Sequence, residues 1–125
     1  LYPADFKIPM VAPEDIGKVA AKLLTGFDKN AEMHYVEGPE HYSSGDVAAA
    51  FSQKLQKTIT YAEVPQQDWR AFLAGAGFSG PAAESLANMS AITLSKSYEV
   101  TTEPHRGRIT LQEYIGTLVP SQVTF

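Results

Sequence analysis

Cysteine is absent from this 125-residue chain. Disulfide staples, thiolate metal sites and cysteine nucleophiles are thereby excluded. A reducing, cytoplasmic setting suits that composition. No apolar run approaches the roughly 20 residues that a bilayer-spanning helix needs. The chain opens on Leu1-Tyr2-Pro3, without a basic stretch leading into an apolar one, so no secretory signal is expected. Positive charge is scarce too: 10 Lys and Arg against 14 Asp and Glu leave a net charge of −4. The basic residues are scattered singly, with Arg106 and Arg108 the nearest two. Neither nucleic acid nor an anionic membrane therefore finds an electrostatic footprint.

What is present is the material of a soluble α/β domain. Apolar residues make up 44% of the chain and charged residues 19%, enough for a core and too apolar for disorder. Residues 1–7 read as an irregular lead-in, and 8–11 as a short buried strand. A helix follows: Pro13 fits its first turn, Glu14 and Asp15 complement its dipole, and Gly26 stops it. Ile16, Val19, Ala20, Leu23 and Leu24 recur on its expected inward face. Residues 33–36 read as a strand. Ser43 with Asp46 three positions on starts a second helix carrying Val47, Ala48, Phe51 and Leu55 to about Lys57. Residues 58–64 are β-branched and aromatic, a third strand ended by Pro65.

From Gln66 onward the pattern is helical. Trp69, Phe72 and Leu73 share a face, and a longer segment over 80–96 places Leu86, Met89 and Ile92 near one side. Residues 98–108 read as a polar loop. Thr110 with Glu113 forms a capping box that opens a last helix with Leu111, Tyr114, Ile115 and Leu118 inward, before Pro120. Strands separated by helices favour parallel pairing through right-handed crossovers. Three short strands make a small, mostly parallel sheet with exposed edges, more natural as an annex to a larger sheet than alone.

Four constellations invite chemistry. Gly75-Ala-Gly77-Phe-Ser-Gly80 spells a dinucleotide glycine loop, but that loop needs a buried strand before it. Here Asp68-Trp-Arg-Ala-Phe-Leu73 has helical spacing, so the glycines read as a helix break. His41, Ser43, Ser44 and Asp46 bunch at a helix entry, where capping is the simpler role than a hydrolase triad. His34, Glu37, Glu40 and His41 lack metal-ligand spacing on a helix and read as a solvated turn. No tyrosine is followed four positions later by lysine, so the reductase pair in which lysine acidifies a proton-donating tyrosine is missing. Among the aromatics Phe6, Tyr35, Tyr42, Tyr61, Trp69 and Phe72, most read as core; Phe6, Tyr42 and Trp69 fall at junctions where α/β pockets open.

The order of the pieces resembles the C-terminal part of NmrA-like proteins, atypical relatives of the short-chain dehydrogenase/reductases. An apolar stretch ending at Val11 runs into Glu14-Asp15-Ile16-Gly17 and an alanine-rich helix. Glu37-Gly38-Pro39 closes a strand, Ser43 and Ser44 lead into Asp46-Val47-Ala48, and another extended run reaches Val64-Pro65. Arg108-Ile109-Thr110-Leu111-Gln112-Glu113-Tyr114 looks like the closing loop-to-helix segment, with Ile109 where many relatives carry proline. The resemblance implies the C-terminal portion of a Rossmann-like fold. On it, residues 1–125 form one substrate-binding domain whose N-terminal dinucleotide-binding half is absent.

That half would bind NAD or NADP, and no cofactor is expected on this segment alone. The implied activity of the parent is hydride transfer to a small quinone or carbonyl acceptor; the alternative is a non-enzymatic, NAD(P)-sensing regulator. No catalytic residue carries over. From position, residues 6–10 and 40–43 face the pocket and Trp69 lies near a junction, which gives Phe6, Met10, His41, Tyr42 and Trp69 as substrate-binding candidates. The expected partners are the missing Rossmann half, a small-molecule substrate and, through an exposed apolar patch, a second copy of the chain.

Overall fold

The computed structural model describes residues 1–26, 32–96, 99–100 and 102–120. The order of elements is β1 (Ile8–Pro9), α1 (Pro13–Thr25), β2 (Val36–Glu37), β3 (His41–Tyr42) and α2 (Ser44–Leu55). A 3-10 turn (Gln66–Asp68) then leads into α3 (Trp69–Gly75), α4 (Gly80–Ser95), β4 (His105–Arg106) and α5 (Leu111–Leu118). Among the described residues the architecture is α/β, with five α-helices and two small sheets, in keeping with the Rossmann-like portion that the resemblance implies.

The helix starts follow their local chemistry. Ser43 caps α2 in a reciprocal box: its hydroxyl accepts the Asp46 N–H at 3.1 Å, and Asp46 Oδ2 accepts the Ser43 N–H at 2.8 Å. Thr110 and Glu113 repeat the device at α5, at 3.2 and 2.8 Å. Each box satisfies two backbone donors that a helix start would otherwise orphan. Pro13 sits in the first turn of α1, and the Gly26 N–H closes on the Lys22 carbonyl.

The strands depart further from expectation. They form two pairs rather than one small, mostly parallel sheet: β1 with β3, antiparallel, and β2 with β4, parallel. Residues 58–64 join neither pair. Their polar links run instead through side chains: Ser52 Oγ accepts the Ile59 N–H at 2.9 Å and donates to the Ile59 carbonyl. Glu63 Oε1 accepts the Ala4 N–H at 2.7 Å. The strand that does pair with β2 lies in the expected loop 98–108, of which Tyr98 and Thr101 fall outside the described residues.

The main core joins α3 to α4 and contains Trp69, Leu73, Ala83 and Ala87. The two large side chains of α3 leave space only for small ones opposite, so α4 buries Ala83, Ala87 and Ser90. Leu86 is half-buried, and Met89 and Ile92 turn outward. A second core joins α2 to α5 around Ile115. Elsewhere apolar faces are uncovered: on α1 Ile16 and Leu24 are exposed, the latter at 87%, as are Met33, Phe72, Phe78 and Leu118. Among the described residues no helix is long and apolar enough to cross a membrane.

Candidate functional site

The site candidate grows from β3. Side chains alternate faces along a strand, so His41 and Tyr42 serve different surroundings. Tyr42 is buried and forms one wall of an apolar cavity of about 310 Å³ between α2 and α5. Met10 stands on the same cavity, with Val47 and Phe51 from α2 and Tyr114 and Ile115 from α5. A mostly apolar hollow with a few placed polar groups is the usual form of a small-ligand pocket, and this volume lies at the small end of that class.

Tyr42, Thr110 and Tyr114 are the lining residues with polar side chains, and the Tyr42 hydroxyl is fixed from two sides. It accepts the Leu111 N–H at 3.2 Å, so the strand supplies a partner to a first-turn donor of α5. Burial pushes its pKa above the ordinary 10.0, and the neighbouring Glu40 carboxylate, to which it is hydrogen-bonded, pushes the same way. The Leu111 N–H works in the opposite sense without reversing the shift. The Tyr42 hydroxyl is therefore held neutral, its proton directed to Glu40 and its oxygen accepting the Leu111 N–H.

The far side of the cavity is positioned by Asp15. Its buried carboxylate oxygen accepts the backbone N–H groups of Arg108 and Ile109, both at 2.9 Å, and so holds the segment that leads into α5. First-turn position alone explains a carboxylate there by the helix dipole; its burial and these two remote partners are decided by the fold.

His41 belongs to a different face. Its Nε2 lies 3.6 Å from Glu37 Oε2, which also receives Arg106 at 2.7 Å. With Phe6, Lys7 and Tyr35 it lines a neighbouring cleft of about 370 Å³. Phe6 is held there by Tyr2, their ring centroids 5.4 Å apart. A third, polar cleft of about 440 Å³ passes from Lys7 and Asp46 to Gln53 and Gln112 and touches both His41 and Tyr42. In it, hydrogen bonds from the Ser43 N–H and hydroxyl hold the Asp46 carboxyl below its ordinary value, with Lys7 at 3.8 Å adding a little.

The five sequence candidates thus divide. Met10 and Tyr42 meet on the apolar cavity, and Phe6 and His41 meet on the adjacent cleft. Trp69 stands apart from both: only 2% exposed, it fills the α3–α4 core and donates its indole N–H to the Val64 carbonyl at 2.8 Å. The contribution of α5 to the cavity was legible only as an inward apolar face, since periodicity tells which residues turn in and not whether they leave a hollow.

The glycine cluster is not built as a dinucleotide cradle. It lies between α3 and α4, with Ser79 capping the latter, and a helix rather than a strand precedes it. Gly77 has a φ of +97°, which serves the turn, but a Cβ at Gly75, Gly77 or Gly80 would meet nothing within 4 Å. A dinucleotide loop needs its glycines for close approach to phosphate and to the sheet. These residues do not fit that group. Nor do the histidines expected in one turn converge: Glu37 and His41 pair on one side, whereas His34 contacts His105.

Comparison of the sequence with known proteins places the chain in a family. The chain is 32% identical over 63 residues to Festuclavine synthase I of Penicillium roqueforti (strain FM164). That stretch is 50% of this chain and 22% of the relative, so the match spans about a fifth of the relative's length. No solved structure matches the chain. The model of the NmrA-like family matches residues 2–114, nearly the whole segment, and the chain belongs to that family.

Proposed function

We propose that this chain is the substrate-binding portion of an NAD(P)-dependent oxidoreductase. The observation that carries the reading is the apolar cavity shared by Met10 and Tyr42 in a member of the NmrA-like family. Its aliphatic and aromatic lining suits a small flat acceptor, a quinone or a conjugated carbonyl compound. An acceptor's oxygen meets the Tyr42 hydroxyl by taking over the hydrogen bond that it otherwise gives to Glu40. Phe6 and His41 on the adjacent cleft contact a substituent that projects from the cavity.

On this reading, the dinucleotide is held by an N-terminal Rossmann half outside residues 1–125, because the glycines between α3 and α4 do not suit it. That half covers the exposed apolar side chains of α1 and α4 and extends the sheet along residues 58–64. The segment alone is then inactive.

The test is a titration of the parent protein with NADPH and a panel of quinones and enones. Oxidation of NADPH is expected, with Tyr42→Phe and Met10→Ala raising KM more than they lower kcat, because binding is what they supply. Tight NADP binding without turnover across the panel would replace this reading with that of a dinucleotide-sensing regulator.

A further inference from the structure

We propose that His34 and His105 form a two-imidazole site for a divalent transition-metal ion of the zinc, nickel and copper type. His34 Nδ1 and His105 Nε2 face each other at 3.3 Å, their ring centroids 5.4 Å apart and their planes tilted by 50°. The residues are 71 positions apart, so the contact is made by tertiary structure alone. The β2–β4 register opposes Val36 to His105, and alternation returns His34 to the face of Val36. Two backbone bonds clamp the pairing: the His105 N–H to the Tyr35 carbonyl at 2.8 Å, and the Gly107 N–H to the Glu37 carbonyl at 2.7 Å.

That separation is the bite of a chelate. A tetrahedral ion with metal–nitrogen bonds of about 2.0–2.1 Å holds two nitrogens about 3.3–3.4 Å apart. In the free chain the two nitrogens share a hydrogen bond, and an ion that displaces its proton takes up both lone pairs; His34 is exposed and His105 half-buried, so the pair is open to solvent. Arg106 follows His105 directly along β4, so it projects to the opposite face, where Glu37 neutralises it at 2.7 Å. Imidazole selects borderline transition ions over magnesium or calcium, which prefer oxygen. Among the described residues no group of three or more His, Asp or Glu converges on one point. The proposed site is therefore a two-ligand one among the described residues, from which an ion exchanges readily.

The experiment is a calorimetric titration of the chain with Zn²⁺. One ion per chain is expected, and Mg²⁺ should give no saturable heat. His34→Ala and His105→Ala should each weaken binding by at least about tenfold and to a common residual level, because either one destroys the chelate. His41→Ala should keep the wild-type affinity. In the unaltered chain, trace Ni²⁺ should broaden the imidazole proton resonances of His34 and His105 before those of His41. Absence of saturable Zn²⁺ binding, unchanged affinity in both alanine variants, or a loss confined to His41→Ala would overturn the assignment.

Discussion

Gly107 stands against Asp15 so closely that a Cβ on the glycine would come within 2.5 Å of the Asp15 carboxylate oxygen. The same oxygen gathers the N–H groups of the next two residues, Arg108 and Ile109. Contact between α1 and the entry to α5 therefore rests on a missing side chain and a buried charge together. Asp15→Ala leaves two amides without their acceptor and should cost about 2–3 kcal/mol in urea unfolding. Gly107→Ala overfills the same place and should cost about 1–3 kcal/mol. Combining the two should give less than their sum, because one contact is lost in both.

Tyr42→Phe removes the acceptor of the Leu111 N–H and should lower stability by about 1 kcal/mol. The pH dependence has a definite sign. The folded-state pKa of Tyr42 lies above the unfolded value of 10.0, so its contribution is full below that value and lost as pH rises through the folded one. A tyrosinate absorbance titration should show a late component that vanishes in Tyr42→Phe.

Asp46 gives the opposite pH response. Its folded pKa lies below the ordinary 3.8, so its stabilisation is present above that value and fades as acid titrates the folded carboxylate. Asp46→Asn should flatten the acid limb of a stability profile. Ser43→Ala, which removes the other half of the capping box, should cost about 1 kcal/mol near neutral pH.

Trp69 separates core from pocket. Trp69→Ala should cost about 3–5 kcal/mol through the void left between α3 and α4. Trp69→Phe should lower Tm yet leave ligand affinity at the Met10–Tyr42 cavity unchanged. As the sole tryptophan in the chain, the native residue also provides a fluorescence reading of global unfolding. A shift in its emission on ligand binding would place the ligand elsewhere.

The helices were legible because their causes are local. Pro13 with Glu14 and Asp15, Ser43 with Asp46, and Thr110 with Glu113 each act within one turn, and the helices begin where these residues stand. The strands were legible only in part: β1 lies within the expected strand 8–11 and β2 starts at the end of the expected strand 33–36, but β3 and β4 fall outside the expected strands. Residues 58–64 have the side chains of a strand without a strand partner, whereas His105–Arg106 has little strand character and pairs because β2 lies beside it. Strand propensity describes fit to a pleated, half-buried surface, and a strand exists only where a partner supplies that surface.

The same division holds for the site. From the sequence alone came the order of segments that marks the NmrA-like family, the helix boundaries, and the placing of Met10 and Tyr42 beside a pocket. Only the folded chain decided that these two share a cavity closed by α5, that His41 faces away from it and that Trp69 is core. It also made Asp15 the anchor of a loop more than 90 positions away. Caps, breaks and periodicity are fixed by neighbours within a few residues. Cavities and remote hydrogen bonds depend on how whole elements pack, and that packing is settled by side-chain volumes on segments the chain brings together only when it folds.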